Sequence, residues 1–111
     1  MNSVVDHIAI LVDDLSDAEK WYLKTLGGVI THKQDNYIRL KLGNTNLALL
    51  DKKFSSSRTH IGILCKDLDK LPSKGLRIEH RDGTIGVYTK DPFGNNIEFI
   101  YYGDKSKKFL K

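Results

Sequence analysis

At 111 residues the chain has room for one domain with a modest core. With 40% hydrophobic and 29% charged residues it reads as a soluble globular protein, and no apolar run approaches the roughly 20 residues that a bilayer span needs. The net charge of +4 comes partly from the lysines of 105–111, read as a solvated basic tail; no recognition motif accompanies them, so neither nucleic acid nor a membrane is an expected partner.

The opening residues Met1-Asn2-Ser3-Val4 lack a basic region followed by an apolar stretch, so no secretory leader is expected. Cys65 is the single cysteine and has no internal disulfide partner. A reducing compartment, the cytoplasm, is therefore the expected location.

Val4 to Val12 is β-branched and nearly all apolar, which predicts a strand buried on both faces. His7, Ala9 and Leu11 share one of those faces by the two-residue period. Ser16-Asp17-Ala18-Glu19 fits a capping box with Ser16 as N-cap. The helix it opens carries Leu15, Ala18, Tyr22 and Leu26 at helical spacing, with Trp21 and Tyr22 read as packing residues, and ends at Gly27-Gly28. Three strands follow: Val29 to Lys33, Tyr37 to Leu42 after the turn Gln34-Asp35-Asn36, and Asn46 to Leu50 after Gly43-Asn44. Lys52 to Arg58, with three successive serines, reads as a linker.

The second half repeats the plan in compressed form. Thr59 to Cys65 is a strand, Asp67 to Ser73 holds only a short helix cut by Pro72, and Leu76 to His80, Gly86 to Lys90 and Asn96 to Tyr101 are strands. Each half is β-α-β-β-β, with module one about 4–51, module two about 58–102 and the basic tail 103–111.

The repeat is visible in the residues. His7-Ile8-Ala9-Ile10-Leu11 and His60-Ile61-Gly62-Ile63-Leu64 share the frame His-Ile-small-Ile-Leu, each followed by an Asp-Leu pair, 53 residues apart. A histidine at the same place in both copies suggests a site built from the two. Glu98 lies in the middle of the last strand, between Ile97 and Phe99, where a carboxylate is costly to bury unless it is paired or binds a metal. Two imidazoles and one carboxylate form a facial set for a divalent ion, with positions left open for water or substrate oxygens. The bland alternative is a pair of hydrogen-bonded structural histidines and a carboxylate paired with lysine or arginine.

Matching Asn46 with Asn96 places Ala48 where the second half has Glu98. Aligning the turns at Gly43 and Gly94 instead pairs Tyr37 with Tyr88 and Arg39 with Lys90. If those faces line a cavity, it is cationic and aromatic, suited to an anionic substrate, with Tyr88 available for proton transfer and Arg39 for the charge. The alternative for Arg39, Lys41 and Lys90 is a solvated sheet face. His32 and His80 read as exposed strand histidines, and Cys65 falls on the face opposite His60.

These residues resemble the vicinal oxygen chelate superfamily, which includes glyoxalase I, fosfomycin-modifying thiol transferases, methylmalonyl-CoA epimerase, extradiol dioxygenases and bleomycin-binding proteins. The clearest motif is Asp91-Pro92-Phe93-Gly94-Asn95-Asn96-Ile97-Glu98-Phe99, similar to the family's Asp-Pro-x-Gly-x-x-Ile-Glu. Val5-Asp6-His7-Ile8-Ala9, Trp21 to Gly27 and Thr59-His60-Ile61-Gly62 support it. The resemblance spans about residues 4–102 and implies an α+β, glyoxalase-like fold in which the two βαβββ modules form a half-open mixed β-barrel. It implies a divalent metal ion (Mn, Fe, Ni, Co or Zn) on His7, His60 and Glu98, a small-molecule substrate and a homodimer. The implied activity is that of a metal-dependent lyase or isomerase, thiol transferase or dioxygenase; the alternative is a non-catalytic drug-binding protein of the resistance type. The family's fourth ligand position, often Glu or Gln, falls on Ala48, which cannot ligate.

Overall fold

Alternating apolar side chains become strands wherever the sequence offers them. The computed structural model describes residues 3–53, 58–80 and 83–103, so Ser55–Ser57 of the expected linker and the lysines of 105–111 lie outside the described residues. The elements are β1 (Val5–Val12), α1 (Leu15–Leu26), β2 (Val29–Gln34), β3 (Tyr37–Leu42), β4 (Thr45–Asp51), β5 (His60–Leu64), a 3₁₀ turn (Leu68–Lys70), β6 (Leu76–Glu79), β7 (Ile85–Lys90) and β8 (Asn96–Tyr101). They fall into two compact units, His7–His60 and Met1–Asp6 with Ile61–Lys111.

In the His7–His60 unit the strands run in the order β2-β3-β4-β1. β1 and β4 are parallel, and the other pairs antiparallel. Leu15, Ile38, Leu40, Leu47 and Leu49 form the core, with Ala18, Tyr22 and Leu23 of α1 packed against it. Complete burial of Leu40 and Leu49 is worth about 1.5–3 kcal/mol each relative to exposure.

The helix starts earlier than the capping-box pattern implies. Asp14, not Ser16, is the N-cap: its carboxylate accepts from the Asp17 backbone N–H at 2.9 Å, and its carbonyl accepts from Ala18 N–H at 3.0 Å. Leu15 is 8% exposed, so burying it draws the first turn back onto the core. Glu19 turns instead to Lys33 on β2, 2.9 Å away. Gly27, at φ 75°, ends the helix by donating its N–H to the Leu23 carbonyl. Trp21 is 55% exposed rather than packed, because α1 turns Tyr22 toward the core and leaves its neighbour outside.

In the other unit the order is β5-β8-β7-β6, with β5 and β8 parallel. Cys65, Leu71, Ile85 and Val87 form its core, joined by Phe99 and Tyr101. The second copy's helix has shrunk to the 3₁₀ turn, closed by Leu71 just before Pro72. Burial pushes the Cys65 thiol pKa up, and its S–H donates to the Asp67 carbonyl at 3.1 Å.

The expectation that β1 is buried on both faces does not hold. Val4, Val5 and Ile8 are exposed, whereas Asp6 is buried. A buried carboxylate is tolerable there because the Tyr102 hydroxyl donates to it at 2.5 Å. No helix among the described residues is long and apolar enough to cross a membrane.

Candidate functional site

The repeated histidines meet. His7 lies on β1 and His60 opens β5, and both belong to the His7–His60 unit. Their Nε2 atoms are 3.1 Å apart and their rings stand nearly edge to face, at 86°. His60 is 5% exposed, and its Nδ1 lies 2.5 Å from the Arg58 carbonyl. A carbonyl only accepts, so Nδ1 carries a proton, and the neutral ring in that tautomer presents its Nε2 lone pair toward His7. Two nitrogens so placed share either a proton or a cation. Ligand atoms about 2.1 Å from a common ion at a near-right angle stand roughly 3 Å apart, and this pair matches that spacing. The Arg58 carbonyl is the kind of outer contact that orients a ligating imidazole.

Glu98 belongs to the other unit. It lies mid-strand on β8, 4% exposed, on the face opposite the Val87 and Phe99 side chains. Its register partners are Gly62 on β5 and Tyr88 on β7. Gly86 makes room for it, since a Cβ at that position would overlap the carboxylate Oε2.

The strand registers correct the expected pairing of Tyr37 with Tyr88 and of Arg39 with Lys90. On the first hairpin Arg39 stands opposite Ala48, and on the second Tyr88 stands opposite Glu98. Arg39 is therefore the counterpart of Tyr88. The reason is loop length: four residues, 42–45, separate Lys41 from its partner Asn46, but five, 91–95, separate Lys90 from Asn96. Asp91 holds the longer loop, accepting from Phe93 N–H at 2.8 Å and Asn95 N–H at 2.9 Å. Arg39 and Tyr88 are half-buried, while Lys41, Lys90, His32 and His80 are exposed.

A family model described as the Glyoxalase/Bleomycin resistance protein/Dioxygenase superfamily matches residues 4–99. The chain belongs to this superfamily. Among solved structures, a hypothetical protein from Bacillus halodurans C-125 is similar at 17% identity and TM-score 0.72, over 91% of this chain and 95% of that one. A variant methylmalonyl-CoA epimerase from Streptomyces coelicolor, in complex with 2-nitronate-propionyl-CoA, is similar at 18% identity and TM-score 0.69, over 91% and 95%. The methylmalonyl-CoA epimerase from Mycobacterium tuberculosis is similar at 20% identity and TM-score 0.64, over 94% and 91%. No curated protein matches. The likeness carries the fold, which is α+β with mixed strand pairing, as in the glyoxalase-like proteins.

In this glyoxalase-superfamily chain, two features went unread in the sequence. Gly86 sits two residues before Tyr88 within a strand, and a glycine inside a strand marks a close approach. The Asp6–Tyr102 contact had no local signal, because its partners lie 96 residues apart.

Proposed function

We propose that this protein is a divalent-metal-dependent enzyme acting on a small substrate with neighbouring oxygen atoms, and that His7, His60 and Glu98 hold the metal. The observation that carries the proposal is the His7–His60 pair, with nitrogens at ligand spacing and one imidazole's proton fixed on the far side by Arg58. A bound ion of Mn, Fe, Ni, Co or Zn supplies Lewis acidity toward substrate oxygens. Arg58 holds the His60 tautomer, and Gly86 gives Glu98 its space. Tyr88, beside Glu98 in register, is the group to move a proton to or from bound substrate. Ala48 at the fourth place supports a site with three protein ligands and more open positions than a four-ligand glyoxalase. Lyase or isomerase, thiol-transfer and dioxygenase chemistry each use such open positions. We place the enzyme in the cytoplasm, as a homodimer.

The test is titration of chelator-stripped protein with each of the five ions. One ion per chain is expected, with affinity falling more than about 100-fold in His7→Ala and Glu98→Gln. If no ion binds near one per chain, or if His7→Ala binds like the parent, the proposal fails. A tight small-molecule complex that ignores chelator would instead mark a non-catalytic binding protein.

A further inference from the structure

We infer that Thr59 is a positioning residue for the imidazole pair: its hydroxyl ties the start of β5 to β1 and so keeps His60 turned to His7. The inference rests on the proposed metal site for its chemical meaning, and every contact it uses lies within the His7–His60 unit.

Thr59 stands directly before His60, which opens β5. Its Oγ1 accepts from the Leu11 backbone N–H at 3.3 Å. Leu11 is on β1 with His7 and shares its face by the two-residue period. A strand N–H needs an acceptor, and at Leu11 a side-chain oxygen supplies one. That bond fixes where β5 begins against β1. Successive side chains alternate between faces, so a slip of one residue there would turn His60 to the other face. The Arg58 carbonyl does a different job. It lies two residues from the ring it contacts, so it orients that ring on its own segment without tying the segment to β1. Thr59 stands between the two, so one side-chain bond places both the ring and the carbonyl that orients it.

The imidazole contact cannot hold the segment in the same way once an ion is bound. A hydrogen bond between the two Nε2 atoms, 3.1 Å apart, needs a proton between them. Holding an ion takes a lone pair from each ring, so that hydrogen bond is given up on binding. The Thr59–Leu11 bond involves neither ring and persists in both states. Without it, the metal-free segment can take other positions, and apparent affinity falls with the fraction still in the binding arrangement. Loss of one hydrogen bond changes that fraction by about 3- to 10-fold.

The test compares Thr59→Val, which keeps the shape and removes the hydroxyl, with Thr59→Ser, which keeps the hydroxyl, both in the full chain. A urea midpoint for each verifies folding, and Thr59→Ala takes the place of valine if that variant does not fold. Zn²⁺ affinity is read by competition with a chromophoric chelator. The ring contact is read in chelator-treated protein from the NOE between the His7 and His60 ring protons. Thr59→Val should bind Zn²⁺ about 3- to 10-fold more weakly, with a weaker ring NOE and faster hydrogen exchange at the Leu11 amide. Thr59→Ser should restore all three. A loss under threefold in folded Thr59→Val, or an equal loss in Thr59→Ser, overturns the inference. A parent protein that takes up no Zn²⁺, but whose ring NOE depends on the Thr59 hydroxyl, supports the positioning role while removing the metal reading. In such a protein, a ring NOE unchanged by Thr59→Val overturns both.

Discussion

Replacing Gly86 with alanine tests whether Glu98 is seated as a ligand must be. The backbone at Gly86 is outside the left-handed region, so alanine is conformationally acceptable there. Exchanging glycine for alanine in a strand removes a penalty of about 0.5–1 kcal/mol. Against this, the new Cβ overlaps Glu98 Oε2 and lies 3.4 Å from its Cδ and 3.6 Å from its Cγ. The carboxylate of a residue only 4% exposed must then retreat by up to about 1 Å. Overpacking of this kind typically costs about 1–3 kcal/mol, leaving a net loss of about 0–2.5 kcal/mol. The larger effect falls on function: displacing a group that positions a metal ligand lowers metal affinity about 10- to 100-fold. Urea unfolding of the metal-free protein reads the first quantity, and a competition titration against a chromophoric chelator reads the second. A folded Gly86→Ala protein that binds metal within a factor of two of the parent would refute the role given to Glu98.

Two further outcomes check the fold. Asp14→Ala should lower unfolding stability by about 0.5–2 kcal/mol, while Ser16→Ala stays within about 0.5 kcal/mol, the reverse of what the capping-box pattern implies. The Asn95 side-chain amide, followed by nearby backbone N–H groups, holds the Asp91 carboxyl below its ordinary value of 3.8. A folded pKa below the unfolded one means the loop's added stability is present above about pH 4 and is lost as pH falls through the folded value. The Phe93 and Asn95 amide resonances should therefore shift together with a midpoint under 3.8; a midpoint at or above it would show that Asp91 does not hold the loop.

Much of the fold was legible because its signals are local. β3 and β8 follow strict alternation or apolar runs and occur at the expected residues, Tyr37–Leu42 and Asn96–Tyr101. The duplicated histidine frame marked β1 and β5, and the Asp91-Pro92-Phe93-Gly94 turn followed by Ile97-Glu98 marked the family that the family model then matched. The helix start misled because Ser16 satisfies the capping pattern equally well on paper; burial of Leu15 chose Asp14 instead.

By itself the sequence determined two β-rich repeats, the histidine that each carries and the alanine, Ala48, that stands where the second repeat has Glu98, since periodicity and residue identity are read position by position. The tertiary structure alone decided that Arg39, not Tyr37, corresponds to Tyr88, and that the two imidazoles meet with their Nε2 atoms 3.1 Å apart. It also decided that Asp6 is buried while Ile8 is exposed. Each depends on how strands pair across a loop or over a long stretch of chain. A single residue's difference in loop length moves the register, and with it every neighbour across the ladder.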